Sequence, residues 1–160
     1  MGRNQRRGTG LMWLAAPLVL ALALVGRAAE PDELLKAVQG KWVRSQNAPG
    51  GKVTLIKEHR DQKTILTAYD ERKRVLYSHT SEFTVEQSGR VKVFTFRNRT
   101  ITAGPDKGQQ QKEPMSYVYR VVDGKFLEVR GVLEDDPNPP AMILWEPYKG
   151  DLGDVARLER

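Results

Sequence analysis

Apolar and polar residues change rhythm twice along this chain. Residues 11–25 are apolar throughout. Between Pro31 and Gly40 the apolar residues Leu34, Leu35 and Val38 recur at helical spacing. Pro31, Asp32 and Glu33 stand where a helix start favours them, and Gly40 stands where a helix stops. From Lys41 onward the period falls to two. Phe83 and Val85 alternate with Glu82, Thr84 and Glu86. Tyr117, Tyr119 and Val121 alternate with Ser116 and Arg120, and Val75 and Tyr77 with Ser78 and Thr80.

This pattern predicts one short helix followed by strands at 41–46, 52–59, 64–69, 75–81, 82–87, 91–97, 116–122, 126–132 and 142–146. Asn47 to Gly51, Asp70-Glu71, Ser88-Gly89 and Asp123-Gly124 supply turns, and such short connections favour antiparallel hairpins. Two longer stretches, 103–113 and 133–140, are rich in Gly, Pro, Gln and acids and should carry no regular structure. Strands with one apolar and one polar face form an antiparallel sandwich or barrel, and a barrel leaves no exposed edge.

The first apolar stretch has a different meaning. Arg3, Arg6 and Arg7 precede it, and Gly26, Ala28 and Ala29 follow. Positive, apolar, then small is the order of a secretory signal peptide. The run is shorter than the roughly 20 residues of a spanning helix, so cleavage after Ala28 is expected, with no membrane anchor afterwards. Residues 29–148 then form one domain and 149–160 a charged tail. The product should be periplasmic or extracellular. Removing the four arginines of residues 1–28 from 26 basic residues leaves 22 against 20 acidic, a net charge of +2. A general basic attraction to nucleic acid therefore loses its support. Cysteine is absent, so the domain folds without disulfides and has no thiol chemistry.

Gly40-Lys41-Trp42 directly after the helix, with the meander behind it, resembles the opening of a lipocalin-type barrel. The order Val38-Gln39-Gly40-Lys41-Trp42, then Gly104-Pro105-Asp106-Lys107-Gly108, then a strand–Asp123-Gly124–strand hairpin resembles the lipocalin-like domain of small exported planctomycete proteins. The resemblance covers residues 31–148. It implies an all-β fold, an antiparallel up-and-down barrel with a short N-terminal helix. It carries no activity over. In lipocalins an arginine packs on the motif tryptophan; Arg130 and Arg157 are the candidates here.

Chemistry-bearing residues are few. His59 and His79 end strand-like segments and are read as solvated. Ser78 beside His79 points to the opposite face of a strand, and no Gly-x-Ser-x-Gly turn exists. A hydrolase using His59 or His79 is thus the weakest functional alternative, and no catalytic residue is assigned. Two histidines without cysteine supply a zinc site poorly. Glu134-Asp135-Asp136 lacks calcium-loop spacing and reads as a solvated loop, as Glu71 to Arg74 reads as a hydrophilic turn. Arg90, Lys92, Arg97 and Arg99 flank Phe94 and Phe96 in the manner of a single-strand binder, but the balanced charge argues against it. Neither metal nor cofactor is expected. Aromatic residues assigned to the barrel interior, Trp42, Tyr69, Tyr77, Phe83, Tyr117 and Tyr119, are the candidates for lining a ligand cavity. Trp42 is foremost a cap on the core. The expected function is non-catalytic binding of a small apolar molecule. The alternative is a filled barrel that binds protein or envelope material through 103–113 and 133–140.

Overall fold

The computed structural model describes residues 30–150; the expected leader 1–28, and residues 151–160 of the expected tail, lie outside them. Helix α1 (Pro31–Val38) is followed by β1 (Gly40–Ala48), β2 (Gly51–Arg60), β3 (Lys63–Tyr69), β4 (Val75–Ser88) and β5 (Val91–Ala103). The short β6 (Gln110–Gln111), β7 (Met115–Val122), β8 (Lys125–Arg130) and β9 (Ala141–Pro147) complete the chain.

Each strand pairs antiparallel with its sequence neighbour, β5 with β7, and β9 returns to β1. The result is a closed up-and-down barrel of eight strands, with β6 added outside the ring on β5. This architecture is consistent with a lipocalin-like fold. Asp123 and Gly124, both at positive φ, make the tight β7–β8 turn.

Helix α1 packs across one end. Leu34 and Val38 are buried and Leu35 packs against the core. The Val38 carbonyl, one of those a helix C-terminus leaves open, accepts two side-chain hydrogen bonds. Trp42 Nε1–H donates at 3.0 Å and His59 Nδ1 lies at 2.9 Å. A carbonyl only accepts, so Nδ1 carries the hydrogen. This floor is sealed by stacked rings: Phe83 on Phe94 at 4.5 Å, and Phe94 on Tyr117 at 4.9 Å. The strand directions place 103–113 and 133–140 together at the opposite end, the mouth.

Some expectations need correction. The segments 75–81 and 82–87 are one strand, β4, whose continuity is masked by a register shift at Thr80/Glu82. β5 runs on to Ala103, and the stretch 103–113 contains β6. Val75 is exposed, because an extra residue, Leu76, enters between the pairs Ala68↔Tyr77 and Tyr69↔Val75 and reverses its face. Tyr69 lies outside the barrel: its partner is Thr54, while inward Leu55 pairs with Ala68. It packs with Val43, Ile56 and Tyr148 in a separate outer cluster.

Candidate functional site

Strand parity decides what faces inward. On β2, Leu55, Lys57 and His59 share the inner face; on β8, Phe126, Glu128 and Arg130 do. Lys57 and Glu128 are buried almost completely and form an ion pair across the barrel. The second Glu128 oxygen takes Arg130 Nε at 3.3 Å. The Lys57 ammonium also lies 4.2 Å from the Trp145 ring centre, with Phe126 and Tyr117 at 5.4 and 5.6 Å. A carboxylate and three ring faces thus replace its water. Burial, then repulsion from Arg130 and Arg44, pulls the Lys57 pKa well below its ordinary value.

Above this pair lies a cavity of about 210 Å³. Phe94, Tyr117 and Trp145 are among the residues that line it. Its cations are Arg44, Lys57, Arg99 and Arg130. Arg44 stacks over Trp145 at 5.1 Å and Arg130 over Tyr117 at 5.3 Å. Arg99 reaches the cavity through a bulge. Between the pairs Thr80↔Thr100 and Glu82↔Arg97, β5 holds one residue more than β4. Asn98 absorbs it at φ 53° and donates to Glu82 at 2.9 Å. The extra residue flips the face, so Phe96 and Arg99 both line the interior.

The histidines are neither solvated nor free. His59 packs beside the stacked Phe83 and Phe94, 5.0 Å from each, and burial and the Lys57 charge lower its pKa to about 3. Its Nε2 has no partner among the described residues. His79 lines the cavity with Nδ1 3.1 Å from the Tyr77 hydroxyl. Burial, then Arg99, Lys57 and Arg130, lower its pKa to about 4. Both rings are neutral at pH 7. Ser78 faces outward, hydrogen-bonded to Thr67 and the Leu66 carbonyl, and does not meet His79.

Of the aromatic candidates, Tyr77 and Tyr117 line the cavity. Trp42, Phe83 and Tyr119 fill the core below it, and Tyr69 is on the outer wall. Arg130 stacks on Tyr117 rather than on the motif Trp42, and Arg157 lies outside the described residues. Asp136 is buried rather than solvated, its carboxylate accepting from Gly131 N–H at 2.8 Å and from Asn138. Burial raises its pKa, but those bonds and the Arg130 charge outweigh it and hold the group below its ordinary value. Asp136 thereby staples the β8–β9 loop. Of the basic residues beside Phe94 and Phe96, Arg97 stays outside near Glu82 while Arg99 turns inward.

The residues that sequence reasoning missed are Arg44, Lys57, Glu128 and the inward setting of Arg99 and Arg130. For Glu128 and Arg130 a partial signal existed: they share Phe126's parity, although Leu127 gives the opposite face an apolar residue too. Comparison with family models, curated proteins and solved structures found no match.

Proposed function

We propose that this chain is an exported, non-catalytic binding protein that encloses a small molecule in the interior of its barrel. The observation that carries this reading is the cavity above the Lys57–Glu128 pair, walled by aromatic rings and side-chain donors. At about 210 Å³ it falls below the ~300–1,000 Å³ of drug-sized sites and equals roughly seven water volumes. Its occupant is correspondingly small. Three buried polar atoms on its lining residues, Arg44 Nε, Thr64 Oγ1 and Trp145 Nε1, have no partner among the described residues. That favours an occupant with a polar end over a wholly apolar one. Export is supported by the order of residues 3–29. Kinship with the planctomycete lipocalin-like domain is supported by the barrel and by the sequence pieces in their order. Ser78, turned away from His79, favours binding over hydrolysis.

The test is a thermal-shift screen of small metabolite-like compounds against the protein beginning at Ala29. At least one should bind saturably, and Ile143→Trp, which fills the cavity from β9, should abolish that binding. A protein that binds nothing, or an Ile143→Trp variant that binds equally well, would overturn the proposal. The second reading, a protein-binding module, draws on the convergence of 103–113 and 133–140 around the mouth. It requires a macromolecular partner whose binding survives Ile143→Trp.

A further inference from the structure

The interior charges do not balance. Arg44, Lys57, Arg99 and Arg130 face one cavity, and among the described residues Glu128 is the carboxylate that meets any of them. Both its oxygens are already committed, to Lys57 and to Arg130. Arg44 and Arg99 have no carboxylate partner among the described residues, and Arg44 Nε is buried without an acceptor. Both side chains are half-buried; a guanidinium partly withdrawn from water without a counter-ion carries a cost that a bound anion offsets.

Geometry strengthens the case. Arg44 approaches from β1, Arg130 from β8 and Arg99 from β5, so the cations surround the space rather than line one wall. Arg99 is there only because of the Asn98 bulge, a feature that re-aims side chains. The planar donor fork of arginine matches a carboxylate. Between the cations the lining turns apolar at Leu66, Phe96 and Ile143, which suit an apolar body.

Resting on the binding reading above, we propose that the cavity selects a small organic anion, its carboxylate held between Arg44 and Arg99 and its apolar body against Leu66, Phe96 and Ile143. Arg130, tied to Glu128, adds field rather than a primary contact.

Benzoate and its neutral amide, benzamide, separate charge from shape. Titrated calorimetrically against the protein beginning at Ala29, benzoate should bind saturably, and benzamide about tenfold or more weaker. Replacing Arg44 or Arg99 by Met should each weaken benzoate by about tenfold, the scale of one charge-assisted hydrogen bond, and weaken benzamide markedly less, so that the preference for the acid shrinks. Circular dichroism and a cooperative urea transition would certify that both variants fold. Equal affinity for acid and amide would overturn the anion proposal while leaving the container intact. So would arginine variants that bind benzoate normally. Failure of benzoate while other compounds bind in the thermal-shift screen also sinks the anion alone. Silence in both experiments overturns the container and the anion together.

Discussion

Glu128 has no exposed surface, and Lys57 and Arg130 occupy its two oxygens. Glu128→Gln removes the charge while keeping the shape, leaving Lys57 buried without a counter-ion. Breaking a buried pair from one side costs about 3–5 kcal/mol, and urea denaturation should show that loss. Lys57→Met/Glu128→Leu removes both charges and should be less destabilised than Glu128→Gln alone; a double variant as unstable as the single one would contradict the pairing. His59 gives a pH signature. Its folded pKa of about 3 lies below the ~6.5 of an unfolded histidine. The unfolded chain therefore binds the proton that the folded one refuses. Stability is full above pH ~6.5 and falls as pH drops through the interval toward 3, by a few kcal/mol in all. His79, with a pKa of about 4, acts in the same direction over a narrower range. Urea midpoints between pH 7 and 4 should fall more steeply for the native protein than for His59→Gln, whose amide can still donate to Val38. Parallel slopes would show that His59 is not held neutral.

At the scale of elements, the strands were legible because most carry one apolar and one polar face. What stayed hidden lies where that rule breaks. On β2, Leu55 and Ile56 lie on opposite faces, as do Phe126 and Leu127 on β8, so hydropathy does not say which face is inside. Closing the barrel puts Lys57 and Glu128 inside, and the site emerges only from pairing across the chain. The β4–β5 hairpin was hidden for another reason. Its bulge shifts parity by one at Asn98, and alternation read from 91–97 sends Arg99 to the wrong side. This identifies Asn98 as the residue that positions Arg99. Asn98→Gly keeps the left-handed backbone and should leave stability within about 0.5 kcal/mol. Asn98→Val forces a β-branched residue to positive φ and should cost about 1–2 kcal/mol or more. It should also weaken binding in the cavity as much as loss of Arg99 does. Unchanged melting and binding for Asn98→Val would show that the bulge does not set the site.

For the whole molecule, closure of the ring rests on its shortest seam. β1 and β9 register over only Trp42↔Pro147 and Val43↔Glu146, and Pro147 has no N–H to give. The next residue compensates. Tyr148 N–H donates to the Lys41 carbonyl at 2.8 Å, and the Tyr148 ring packs outside with Val43, Ile56 and Tyr69. Within the barrel Arg44 of β1 stacks on Trp145 of β9, so the seam is clasped on both faces. Trp42 links the same seam to the helix floor through Val38. Tyr148→Ala removes the outer clasp and should cost about 3 kcal/mol, the low end for a large buried aromatic. The damage should also be local. Native-state hydrogen exchange should quicken in β1 and β9 well before β4 and β5, where pairing is longest. Binding should weaken too, because Arg44 and Trp145 sit on either side of the loosened joint. Exchange that rises uniformly around the ring would instead mean that the barrel opens as one unit and that Tyr148 is an ordinary core contact.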